Sequence, residues 1–316
     1  MRAVCVLGTG LIGGSLMRAA ARAGREVWGT AASDTTAAAA VADGFDVTTD
    51  TDAALARAAE ADALVAVAVP LPALEPVLRR VDAVAPTCRL TDAVSVKVAV
   101  ADAVAELAPR ARYVGGHPMA GTAESGWAAG DAELFTGAAW VVAADDGLDL
   151  DVWRDVAELA WACGARVVPA AADEHDIAVA RISHLPHLLA AVLASVGAGE
   201  QGDDLALALS ASSFADGTRV AGTRPELVLA MCEGNRAALL AAVDDALGRL
   251  GAMRGALAST GGLAATVRAG HAARMRWAST REPLEQPVSF DGDPAAVLAE
   301  LRELGRRGDV VEPGKG

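Results

Sequence analysis

Six short apolar runs mark the first half of the chain: residues 2–7 (RAVCVL), 25–30 (REVWGT), 63–70 (ALVAVAVP), 88–94 (CRLTDAV), 112–118 (RYVGGHP) and 138–144 (AAWVVAA). Each is short and bounded by glycine, proline or polar residues, the signature of a buried strand. Helical patterns separate most of them, and strand–helix alternation predicts an α/β fold built on a doubly wound parallel sheet. From about Asp173, a reasonable N-cap, the pattern changes to long helical stretches broken near residues 197–202, 222–225 and 261–262. Several are too apolar for a solvated surface, which predicts an all-α domain whose helices bury one another, including across a two-fold dimer interface. After Trp277 come a Pro-rich linker, a short strand PVSF (287–290), a helix (294–308) and a frayed end VVEPGKG (310–316). The expected organisation is residues 1–168, 169–276 and 277–316, the last a peripheral appendage.

Between the first strand and its helix stands GTGLIGGSL (8–16). Gly8 permits the tight turn, Gly10 lets a pyrophosphate approach the backbone, and Gly13 lets helix and strand pack closely. Leu11 and Ile12 open the helix, whose first-turn N–H groups and positive dipole end suit phosphate. The strand–turn–helix–strand context makes this a Rossmann-type dinucleotide site. At the end of the second strand Ala31 replaces the usual acidic ribose partner, and Ser33 and Asp34 follow. No arginine sits nearby to meet a 2′-phosphate unless Arg25 reaches it, so NAD is favoured with NADP left open.

Composition narrows the function. The net charge of −14 over 316 residues argues against nucleic acid or an anionic membrane as partner. A small anionic substrate met by local arginines remains compatible. Cys5, Cys88, Cys163 and Cys232 are too scattered for a zinc or redox pair, and read as buried thiols of a reducing cytoplasm.

Catalytic groups of such sheets sit at the carboxyl ends of strands, where Asp92, Ser95 and His117 fall. In the helical half, SHLPH (183–187) places two of the five histidines three apart. On a helix His184 and His187 lie about 60° apart and share a face with Arg181, while Pro186 removes a backbone bond and kinks the segment. They could be a metal site, satisfied core residues or part of a pocket. A metal needs a third ligand, and His175 and Asp176 are two turns or more away, so no metal is assigned.

Taken together, GTGLIGGSL, TDAVSVK (91–97), HPMAG (117–121) with SGW (125–127) and LFTGAAWVV (134–142), SHLPH, and FADGTRVA (214–221) resemble the prephenate/arogenate dehydrogenase family of tyrosine biosynthesis. The resemblance covers residues 1 to about 275. It implies oxidative decarboxylation of prephenate with hydride transfer to the nicotinamide. His117 would polarise the substrate hydroxyl, as suits a neutral histidine, and Ser95 would hold the same hydroxyl. Arg219 would clamp a carboxylate of the dianion, a task suited to its planar fork. Arg181, His184 and His187 would also contact substrate, His187 foremost, whereas Lys97 and Asp92 would shape the loop. Departures from the family pattern occur at Ala123, with Glu124 one place later, at Ala215 and at Val228. Arogenate is the alternative substrate, and a non-catalytic nicotinamide-sensing dimer the alternative of another class.

Overall fold

The computed structural model describes residues 1–316 apart from Ala123, residues 200–203, Thr260, Arg281 and residues 314–316. Outside the described residues fall the departure at Ala123, part of the glycine break around Gly202 and the last three residues of the chain.

The chain opens with β1 (Val4–Leu7), α1 (Leu11–Arg22), β2 (Val27–Thr30), α2 (Asp34–Ala42), β3 (Asp46–Thr48) and α3 (Thr51–Glu60). It continues with β4 (Leu64–Val67), α4 (Leu74–Val84), β5 (Arg89–Asp92), α5 (Val98–Leu107) and β6 (Arg112–Tyr113). The six strands pair in the order β3-β2-β1-β4-β5-β6, all parallel. Because β1 is buried on both faces, its side chains divide by parity. Val4 and Val6 join α1 residues in one core cluster, while Cys5 and Leu7 join residues of α3, α4 and α5 in the other. The predicted doubly wound sheet is what forms.

The apolar run 112–118 does not make one strand. Its first half is β6, and its second half becomes β7 (Gly116–Pro118) of a separate five-stranded sheet. The glycine pair Gly115–Gly116 permits the divorce. A Cβ at Gly116 would stand 2.7 Å from the Asp92 carbonyl oxygen, so only glycine lets the chain cross the carboxyl end of β5 so closely. β7 pairs antiparallel with β8 (Ala139–Ala143), followed by α6 (Leu150–Ala162) and β9 (Arg166–Ala170).

The helices are α7 (Ala172–Val179), α8 (Leu185–Ala198), α9 (Asp204–Ala208), α10 (Ser212–Thr218), α11 (Pro225–Gly234), α12 (Arg236–Ala258) and α13 (Ala264–Ala278). Asp173 lies inside the first turn of α7 rather than capping it. The Asp145 carboxylate accepts from Ala172 N there at 3.1 Å. Pro186 takes the second position of α8, and the preceding residues Ala180–His184 form a π turn, one of the usual ways a helix absorbs a break in its bonding ladder.

Last come β10 (Glu285–Gln286), α14 (Pro294–Arg306) and β11 (Val310–Val311). The strand expected at PVSF forms just before it, and the segment expected to fray supplies β11, which completes the sheet order β10-β11-β9-β8-β7. The expected peripheral appendage is core from α14 onward. Val297, Leu298, Leu301 and Leu304 are buried in the same cluster as Val152, Trp153 and Leu159 of α6. Burial of such side chains contributes roughly 1.5–3 kcal/mol each. Contacts divide the chain into one compact unit of residues 1–176, 222–234 and 285–316, and a second of residues 177–221 and 235–284.

Candidate active site

In the first unit, Gly8 follows β1 with φ +98°, a conformation that favours glycine. A Cβ there would lie 2.7 Å from the Val69 side chain, beyond the end of β4. The turn therefore sits at the switch point of the sheet, where nucleotides bind in such folds. Around Gly10, by contrast, nothing lies within 4 Å of a Cβ position. This open space faces the start of α1, whose N-cap Gly10 offers no side chain to its first-turn N–H groups. Leu11 and Ile12 begin that helix. A cradle closed at Gly8 and Gly13 but open at Gly10 fits a pyrophosphate.

Ser33 caps α2, accepting from Thr36 N at 3.3 Å, and is exposed just beyond β2. Arg25 cannot serve a 2′-phosphate. Its side chain is fully buried at the opposite, amino-terminal approach to β2, 3.7 Å from Glu158.

His117 stands in the middle of β7, half-buried, at the carboxyl end of β5. Beneath it lies a buried network on Asp92. The carboxylate accepts from Val94 N at 2.8 Å, from Tyr113 Oη at 2.7 Å and from Gly116 N at 3.3 Å. Lys97 forms an ion pair with Asp92 and donates to the Gly116 carbonyl at 2.6 Å. Burial pushes the Lys97 ammonium down, and the Asp92 carboxylate pulls it back. Burial likewise lifts the Tyr113 hydroxyl well above its ordinary range, and the adjacent Asp92 charge adds to this. Asp92, Lys97 and Tyr113 thus tie the loop after β5 to β6 and β7. Ser95 is half-buried in that loop, two residues before Lys97.

The structure adds two residues that the sequence reading weighed solely as metal ligands. His117 Nδ1 lies 2.8 Å from His175 Nε2, and His175 Nδ1 lies 2.8 Å from Asp176 Oδ1. Asp176 also accepts from Lys97 N at 2.8 Å and Val98 N at 3.0 Å. Burial alone would push the Asp176 carboxyl up, but the bonds from His175 and the two backbone N–H groups hold it below its ordinary value. The available signal was the pair His175–Asp176 itself, followed at once by the apolar run 177–180. Among the described residues no group of three or more His, Cys, Asp or Glu could hold a metal.

The residues after His117 are tied to the nucleotide helix. Trp127 packs against Gly14 and donates to Asp43 Oδ2 at 2.7 Å, with the Arg18 guanidinium 3.7 Å above its ring. Asp131 N donates to Ser15 Oγ at 2.9 Å.

In the second unit, His184 is fully buried, its Nδ1 3.2 Å from Asn235 Nδ2. His184 thus lies in the helical interior, beside Asn235, the N-cap of α12. His187 is half-buried and its Nδ1 bonds the Ser183 carbonyl at 2.8 Å. Arg181 and Arg219 are exposed, Arg219 in the short 3₁₀ turn Arg219–Gly222 after α10.

Comparison with known proteins converges on one family. Residues 15–169 match the family description "prephenate dehydrogenase, nucleotide-binding domain", and residues 171–262 match "prephenate dehydrogenase, dimerization domain". Cyclohexadienyl dehydrogenase of Zymomonas mobilis is 33% identical over 156 residues, 49% of this chain and 53% of that protein. Prephenate dehydrogenase of Bacillus subtilis is 34% identical over 122 residues, covering 38% of this chain and 33% of that one. The matches thus span about half or less of the length of these curated relatives. Among solved structures, a candidate prephenate dehydrogenase from Corynebacterium glutamicum shares 42% identity and a TM-score of 0.92, covering 98% of both chains. Arogenate dehydrogenase of Synechocystis shares 29% identity and a TM-score of 0.72 over 87% of this chain and 99% of that one.

Proposed function

The chain belongs to the prephenate dehydrogenase family, and we propose on that premise that it oxidises and decarboxylates prephenate to 4-hydroxyphenylpyruvate with NAD as hydride acceptor. The observation that carries this reading is the placement of His117. It stands at the carboxyl end of β5, beside the loop of Ser95 and in the same unit as the glycine cradle. Gly8, Gly10, Gly13, the first turn of α1 and Ser33 would hold the dinucleotide, whose nicotinamide supplies the two-electron sink.

The chemistry of the chain's own residues is that of a base. His117 takes the hydroxyl proton as the carbon it sits on loses hydride, so the oxygen becomes a carbonyl. The ring carboxylate then departs as carbon dioxide, its bonding pair aromatises the ring, and the resulting phenolate recovers the proton. Ser95 holds the same oxygen. Arg219, with His187 and Arg181, supplies cationic and hydrogen-bonding contacts to the dianion. The four cysteines, all buried as free thiols, support a reducing, cytoplasmic setting for the enzyme.

The second unit is the self-association surface in this proposal. Ile182, Val196, Leu209 and Leu257 are 64–73% exposed, an apolar display that a homodimer would cover.

Reduced-nicotinamide absorbance, followed with prephenate and then arogenate against NAD and NADP, tests the reading. Turnover of prephenate with NAD is expected; turnover of arogenate alone would reassign the substrate, and no turnover with either would overturn the activity.

A further inference from the structure

We propose that His175 and Asp176 are positioning residues that fix the tautomer of His117, hold the proton it receives, and set the base and the Ser95 loop in one frame. The proposal deepens the reading of His117 as the base and rests on it. Hydrogen-bond valence places each proton. The Asp176 carboxylate can only accept, so His175 Nδ1, 2.8 Å away, donates to it. A neutral His175 then has its lone pair on Nε2, which lies 2.8 Å from His117 Nδ1, and His117 must donate there. Neutral His117 consequently carries its lone pair on Nε2, the atom that can take a hydroxyl proton. With the opposite tautomer Nε2 would bear a hydrogen and could accept nothing.

The proton balance follows the same path. The substrate O–H bond breaks and an N–H bond forms at His117 Nε2. The positive charge is shared with His175 through the Nδ1–H···Nε2 bond, beside the Asp176 carboxylate. When the phenolate forms, the proton returns to its oxygen and the chain resets. No co-reactant is needed beyond the hydride acceptor.

Asp176 has a second duty. Its bonds to Lys97 N and Val98 N fasten the first turn of α5, directly after Ser95. One carboxylate thus sets the ring of the base and the loop of the hydroxyl holder. Among the described residues, the titratable groups around this chain include Asp92 at the end of β5, Lys97 from the loop after it, Tyr113 from β6, and Asp145 after β8.

Two measurements on the full-length protein test the proposal. In ¹⁵N histidine spectra of the nucleotide-bound protein without substrate, His117 should show a protonated Nδ1 and an unprotonated Nε2. The reverse pattern would overturn the tautomer assignment whatever the substrate proves to be. In Asp176→Asn, turnover should fall by about 10²-fold, the scale of lost acid–base assistance. The acid limb of kcat/KM against pH should also move down by about one unit, because an anion that favours imidazolium is gone. Asp176→Glu should restore most of both. A variant that melts like the parent and loses turnover with its acid limb unmoved would reduce Asp176 to a scaffold and overturn the proposal.

Discussion

Gly13 lies so close to Gly8 that a Cβ on Gly13 would stand 1.9 Å from the Gly8 carbonyl oxygen, whereas a Cβ on Gly10 would meet nothing within 4 Å. The two glycines are therefore needed for different reasons, and alanine separates them. Gly13→Ala should destabilise the fold by about 1–3 kcal/mol, the cost of overpacking. Gly10→Ala should melt within about 0.5 kcal/mol of the parent. It should still weaken NADH binding at least tenfold, about 1.4 kcal/mol, because the methyl group fills the space a phosphate must enter. Thermal melts and NADH fluorescence titrations read the two effects. A Gly10→Ala protein that binds NADH normally would remove the pyrophosphate from this turn.

His117→Asn should lose about 10²-fold or more in turnover, the scale of acid–base assistance. NADH affinity should stay unchanged, since the ring is not part of the glycine cradle. Wild-type turnover in this variant would exclude His117 as the base.

Arg219 is exposed on its short 3₁₀ turn, and the proposed function gives it a carboxylate of the substrate to hold. Arg219→Ala should raise KM for prephenate with little change in kcat, as when binding shared by ground and transition states is lost. An unchanged KM would take the residue out of the site.

Leu301 of α14 is fully buried with α6. Leu301→Ala should cost about 2–5 kcal/mol in chemical denaturation, as core truncations do. A change under about 0.5 kcal/mol, typical of a surface position, would return residues 294–311 to the status of an appendage.

Stability toward acid has an identifiable contributor. Asp149 caps α6 and bonds the Arg112 guanidinium at 2.6 Å. Burial alone would raise its carboxyl, yet Arg112 and the Asp151 and Val152 N–H groups hold it below its ordinary value. A depressed folded value means that the unfolded chain binds the proton more readily. The contribution is therefore complete above the unfolded value of about 3.9 and fades as pH falls through the folded one. Asp149→Asn should melt lower than the parent at pH 7, and the gap should narrow steadily below about pH 4. A pH-independent gap would assign the effect to capping alone.

The three-residue β3 of the first sheet is too short to leave an apolar run of its own. Local patterns found β1, β2, β4 and β5 because each needs little more than such a run and a following helix. The glycine turn was legible for the same reason, since strand, turn and helix are contiguous. The second sheet was hidden by its construction. β7 is the far half of a run that looks like one strand, and β11 pairs with β9 across some 140 residues of chain. No window on the sequence contains such a pairing. The position of His117 and Ser95 at the carboxyl ends of strands was readable from the strand pattern, but the contact of His117 with His175 arises only when β7 is carried over the end of β5. The partner of His184 was not legible either, because Asn235 lies 51 residues further along the chain.

The late arrival of β11 shapes how the molecule comes into being on the ribosome. Residues 1–176 are synthesised long before the strand that covers β9, and the entire helical unit emerges in between. A nascent chain stalled before Val310 would leave β9 with one unpaired edge, a template for another chain's strand. Completion of the nucleotide-binding unit is thereby deferred until β11 has been made, which makes termination before that strand an aggregation hazard rather than a harmless trimming.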